Sequence, residues 1–78
     1  MLIVSQDRTR FVNMDSIDGF TVSDYGNTYN FFACCHTREF PLGEYKTKKR
    51  AKQVLQKIVN KSKSRIRIRN MVFYMPQE

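Results

Sequence analysis

Between Glu44 and Glu78 the sequence holds no carboxylate side chain. Residues 1–45 carry three arginines against six carboxylates, a balance of −3, whereas residues 46–78 carry seven lysines and four arginines against Glu78 alone, a balance of +10. Such a run is destabilising through self-repulsion, and its asymmetry points to nucleic acid, another anionic surface or an acidic protein as partner. Tryptophan is missing, and there are only three glycines, two prolines, two cysteines and one histidine. A lone histidine beside Cys34 and Cys35 cannot complete a tetrahedral metal site. Neither GxGxxG nor GxxxxGK[ST] occurs, so no standard phosphate cradle for a nucleotide cofactor is present. Neighbouring strand residues point to opposite faces, which makes a Cys34–Cys35 disulfide geometrically poor and suits a reducing compartment. Long apolar runs are lacking too. Leu2, Ile3 and Val4 are too few for a signal peptide or a membrane span, so a cytoplasmic protein without membrane contact is expected.

What is there suffices for one small fold. A chain of 78 residues with 41% apolar and 13% aromatic residues is globular in composition. At this size it buries only about 60% of its unfolded surface, so a single domain spanning residues 1–78 is expected. LIVS (2–5) and RFVNM (10–14) read as strands joined by a polar connector of hairpin length. GFTV (19–22) and TYNFFACCH (28–36) flank Gly26 and Asn27, which supply turn chemistry. Pro41 lacks a backbone donor and confines EFPLGEY (39–45) to an edge or short strand. Ala51, Val54, Leu55, Ile58 and Val59 then recur at the spacing of an amphipathic helix, with Thr47 as N-cap and an end near residues 60–64. Val54, Leu55 and Ile58 are the expected core of that stripe. The tail RIRIRNMVFYMP has strand composition and stops at Pro76. Its alternation continues the arginine face as Met71, Phe73 and Met75, which implies either entry into a covered region or a bulge near Asn70. The predicted class is α+β: a small antiparallel sheet with a single amphipathic helix on one face and a C-terminal strand.

No constellation in the sequence carries catalysis. Cys34 and His36 share a strand face but diverge too far for a nucleophile–base pair, and both cysteines read as small buried thiols beside Phe31 and Phe32. Asp15 and Asp18 lie in a turn, where aspartate bonds its own backbone. Phe11, Phe20, Phe31 and Phe32 read as core, while Tyr25, Tyr29 and Tyr74 are candidates for exposure. The cations are more informative. Lys48, Lys49 and Arg50 stand in the first helical turn, where the dipole disfavours positive charge by about 0.3–1 kcal/mol each, and free N–H groups there suit a phosphate. Arg50, Lys57 and Lys61 flank an outer row of Lys49, Gln53, Gln56 and Asn60 on one side and Lys52 on the other, while Arg65, Arg67 and Arg69 are spaced about 7 Å apart if extended. These nine cations form the expected phosphate-binding set, with no cofactor and no catalytic residue. The amides add a weaker possibility of reading base edges.

Three segments, SQD near the start, LGEYKTKKRAKQVLQKI (42–58) and MVFYMPQE at the end, resemble small uncharacterised proteins of phages and mobile elements of Gram-positive bacteria. The resemblance leaves residues 8–41 unmatched and transfers no catalytic residue. It implies a phage-type accessory protein. Two functions are consistent with these readings: a non-catalytic module binding nucleic-acid phosphates or another polyanion, or a protein-interaction module, such as a phage inhibitor of a host defence enzyme acting on nucleic acid. In the second, Met71, Phe73 and Met75 would form an apolar contact or a homodimer seam if they are exposed.

Overall fold

The computed structural model describes residues 1–63 and 71–78. Its elements are β1 (Leu2–Val4), β2 (Phe11–Asn13), a 3-10 turn (Met14–Ser16), β3 (Gly19–Asp24), β4 (Tyr29–Cys35), β5 (Arg38–Tyr45), α1 (Lys48–Ser62) and β6 (Val72–Tyr74). The class is α+β, with one helix and a C-terminal strand, as the sequence implies. Its strands divide between two three-stranded sheets, in the orders β2-β1-β6 and β3-β4-β5. Within the first, β6 runs parallel to β1, a pairing that needs a long crossover, and the chain supplies one through α1. Residues Arg65, Ile66, Arg67, Ile68 and Arg69, and the bulge expected near Asn70, lie outside the described residues.

The β3-β4-β5 meander follows from its turns. Asp24 Oδ1 accepts the Gly26 N–H at 2.8 Å, and Gly26 has φ +91, a conformation that glycine adopts without Cβ strain. Pro41 does sit on an edge strand, but β5 is the longest strand of the fold. Opposite it, Phe31 pairs with Gly43 and Phe32 with Pro41, which leaves Leu42 as the extra residue of a β-bulge. The extra residue allows Leu42 to point inward without turning Gly43 and Tyr45 outward. Leu42 and Tyr45 are accordingly both buried.

Thr47 caps α1 as expected, its Oγ1 accepting the Arg50 N–H at 3.1 Å. The helix packs on β4 and β5 and buries Ala51, Val54 and Ile58. Leu55 is only half-buried, at the margin of the stripe and not at its centre. Ile3, Phe31, Ala33, Phe73 and Met75 complete the core, so the inner faces of both sheets and the helix meet there. Phe73 and Met75 are therefore core residues and form no exposed apolar row. Phe11, expected in the core, is 65% exposed instead. The three-residue β2 turns Val12 inward, and strand alternation leaves Phe11 outward. Among the described residues no helix is long and apolar enough to cross a membrane.

Candidate nucleic-acid interface

Burial of Ala51, Val54 and Ile58 fixes which way the helical cations face. Opposite that stripe and on one flank, Lys48, Lys49 and Lys52 are exposed and, with Gln53 and Gln56, line a shallow groove of about 450 Å³. The first turn contains no acidic residue, so the positive end of the helix dipole adds to the charges of Lys48 and Lys49, with Lys52 one turn further on. Thr47 occupies one of the free N–H groups at this end.

On the other flank, two of the cations are engaged by the C-terminal segment. Arg50 Nε donates to the main-chain oxygen of Glu78 at 2.8 Å, and its Nη1 donates to Gln53 Oε1 at 3.3 Å. Lys61 Nζ donates to the Val72 oxygen at 2.8 Å and lies 5.9 Å from the centre of the Phe73 ring. The chain from Val72 to Glu78 therefore passes along this flank from the end of the helix to its start, held at both ends by a cation. Lys57 remains exposed between them. Arg65, Arg67 and Arg69 lie outside the described residues. Of the outer amides, Gln56 Nε2 donates to Asn60 Oδ1 at 2.9 Å, so these groups bond along the helix.

Other candidates resolve into structural roles. Cys34 and Cys35 are half-buried and not packed thiols of the core: Cys34 Sγ lies 3.2 Å from Thr21 Oγ1, and Cys35 Sγ donates to the Ser16 oxygen at 3.2 Å. Asp18 does not bond its own turn; its Oδ2 accepts the His36 N–H at 2.7 Å, which steadies the β4–β5 connection where His36 has φ 56. Asp15 lies within the 3-10 turn that Asn13 caps, its N–H donated to Asn13 Oδ1 at 3.0 Å. Among the described residues no three His, Cys, Asp or Glu side chains gather as metal ligands.

Sequence reasoning placed Ser5 at the end of a strand and Gln6 and Asp7 in a connector, and gave their side chains no bonding role. Asp7 Oδ1 accepts from Ser5 Oγ at 2.7 Å, the Thr9 N–H at 3.0 Å and Thr9 Oγ1 at 2.7 Å. These bonds stabilise the charged carboxylate, led by the Ser5 hydroxyl, and lower its pKa to about 2. Gln6 donates its main-chain N–H to the Leu42 oxygen at 2.7 Å, and its side chain bonds Glu44, Pro76 and Gln77. Tyr45 Oη, buried beside them, donates to the Pro76 oxygen at 2.9 Å, and burial pushes its pKa up to about 12. The start of the chain, the end of β5 and the C-terminal segment thus converge at one junction. An aspartate two residues before a threonine is a legible turn signal, but nothing local marks Gln6 as a long-range clamp. Comparison with protein-family models, with curated proteins and with solved structures returned no match.

Proposed function

We propose that this protein is a non-catalytic binding module that holds a polyanion, foremost the phosphate backbone of nucleic acid, against the exposed flank of α1. Lys48, Lys49 and Lys52 make the principal contacts. Lys57 and, by sequence, Arg65, Arg67 and Arg69 extend the charge, while Arg50 and Lys61 combine a long-range field with their hold on the C-terminal segment. The observation that carries this reading is the exposed cationic start of the helix: Lys48 and Lys49 stand in the first turn, where the dipole already opposes them, and Lys52 lines the same shallow groove one turn on. A polyanion offsets that local cost, and fold stability alone gives no reason for it. The setting consistent with the resemblance is a cytoplasmic accessory protein of a phage or mobile element.

The test is a titration of a fluorescein-labelled duplex over a range of salt with the parent and a Lys48→Gln, Lys49→Gln, Lys52→Gln triple variant. The log–log salt slope should fall by roughly 0.9 for each duplex phosphate contact removed. Equal slopes, or a parent that binds no nucleic acid even at low salt, would sink the proposal. The protein-partner alternative, including inhibition of a host enzyme, then leads. Burial of Phe73 and Met75 deprives that alternative of the apolar seam expected from the Met71, Phe73 and Met75 row. A single host protein retained after nuclease treatment is its signature.

A further inference from the structure

Both aromatic rings at the margins of the β2-β1-β6 sheet face outward. The register pairs Val4 with Phe11 on one side and with Tyr74 on the other, so these three side chains form a row across one face. Leu2, Asn13 and Val72 form the next row of the same face. The opposite face contributes Ile3 and Phe73 to the core, which fixes the Phe11–Val4–Tyr74 face as the outer one. Phe11 is 65% and Tyr74 59% exposed, and none of the six residues is charged.

A row that exposes two rings on a protein of net charge +7 needs a reason beyond packing. Arg8 supplies the second observation. Its guanidinium stands over one face of the Tyr74 ring, 5.1 Å from its centre, and its Nη1 donates to the main-chain oxygens of Ser5 at 3.1 Å and Met75 at 2.9 Å. The residue holds φ 62, a conformation that non-glycine residues seldom adopt. A fixed cation therefore stands at one end of the apolar row, and Lys61 binds β6 at Val72. Two strand spacings separate the rings by about 10 Å, so each ring is available to a different base.

We infer that this sheet face is a stacking platform for unpaired bases, with Phe11 and the face of Tyr74 turned away from Arg8 each taking a base, and the positive charge of Arg8 drawing in the adjoining phosphate. The occupant is single-stranded nucleic acid, since paired bases in a duplex cover one another's faces. Apolar rings edged by fixed positive charge suit a strand that presents π-faces and phosphates together. The inference deepens the proposed polyanion reading, but its residues are separate from the lysines of α1.

The probes are a fluorescein-labelled oligothymidylate and a blunt-ended duplex. Phe11→Leu combined with Tyr74→Leu keeps apolar area and removes both rings; Phe11→Tyr and Tyr74→Phe keep the rings. Stacking measured by ring removal corresponds to roughly five- to 150-fold in affinity per base, so the leucine variant should lose oligothymidylate affinity by at least that lower factor. Its duplex affinity and salt slope should stay unchanged, and the ring-retaining variants should bind as the parent does. Because the chain has no tryptophan, tyrosine emission gives a second measurement in a conservatively altered protein: oligothymidylate should quench the parent, and quench Tyr74→Phe less. Parent-like oligothymidylate binding by the leucine variant, or equal quenching of the parent and Tyr74→Phe, overturns the platform. A Lys48, Lys49, Lys52 variant that keeps full duplex affinity while the leucine variant loses oligothymidylate would overturn the helix reading and leave the platform standing.

Discussion

The side-chain amide of Gln6 lies against the main chain of Glu44 as a neighbouring strand would, with Oε1 accepting the Glu44 N–H at 2.9 Å and Nε2 donating to the Glu44 oxygen at 3.0 Å. The same nitrogen lies 2.8 Å from the Gln77 oxygen and 3.2 Å from that of Pro76. One side chain thereby covers part of the open edge of β5, links the two sheets and tethers the C-terminal segment. An unpaired sheet edge invites pairing with another chain, and an amide that satisfies it blocks that route.

Replacing Gln6 tests this arrangement through the order of two variants. Gln6→Ala loses several partly exposed hydrogen bonds and should destabilise the fold by about 1–2 kcal/mol, since each such bond contributes only about 0.5–1.5 kcal/mol net. Gln6→Glu should be worse at neutral pH despite its similar shape, because a carboxylate would face the carbonyl oxygens of Glu44, Pro76 and Gln77 without a donor. Urea midpoints at constant m decide the order. A glutamate variant at least as stable as the alanine variant would show that the donor role of Nε2 is unimportant.

Asp7 gives the fold a sensitivity to acid. Its folded pKa, about 2, lies below the unfolded value of 3.8, because the Ser5 and Thr9 hydroxyls and the Thr9 N–H bond the charged form. For a carboxylate shifted downward, the stabilisation is full above the unfolded pKa and is lost as pH falls through the folded one. The parent should therefore lose thermal stability between about pH 4 and pH 2 more steeply than Asp7→Asn, measured by melting temperature at fixed ionic strength. Parallel pH profiles would mean that the turn does not depend on the charge.

How much of this was legible follows from the range of each signal. The helix, its Thr47 cap and the Gly26 turn are set by residues a few positions apart, and the sequence shows them directly. The division into two sheets rests on β1, β2 and β6, each three residues long, and on a parallel pairing across nearly the whole chain. Periodicity has little to measure in so short a strand, which is why Phe11 read as core. Phe73 and Met75 were ambiguous because a strand's alternation names two faces without saying which is covered. In the candidate site, the positions of Lys48, Lys49 and Lys52 were readable from helical spacing. The engagement of Arg50 and Lys61 was not, because it depends on the return of the C-terminal segment.

The core prediction separates two residues that share one apolar stripe. Ile58 is fully buried, so Ile58→Ala should cost about 2–5 kcal/mol and threatens folding in a domain this small. Leu55 is only half-buried, and Leu55→Ala should cost clearly less. Denaturant unfolding of the two variants is the check. A larger loss at Leu55 would mean that the helix is rotated from the orientation described.

The role proposed for Lys49 sets stability against binding, and a single substitution should move the two in opposite directions. It occupies the second residue of α1, where positive charge opposes the dipole and the Thr47 cap leaves neighbouring N–H groups free. Lys49→Glu replaces an unfavourable charge with a favourable one and should stabilise the fold by about 0.5–2 kcal/mol at low salt, twice the usual contribution of one terminal charge. Lys49→Gln should gain about half as much, and both gains should shrink as salt screens the dipole. The same series should weaken duplex binding, with glutamate worse than glutamine and both worse than the parent. Urea unfolding and duplex titration on the three proteins supply the two orders. Increased stability with unchanged binding would show that Lys49 does not contact the polyanion and would return the first-turn cations to the status of solvated surface charge.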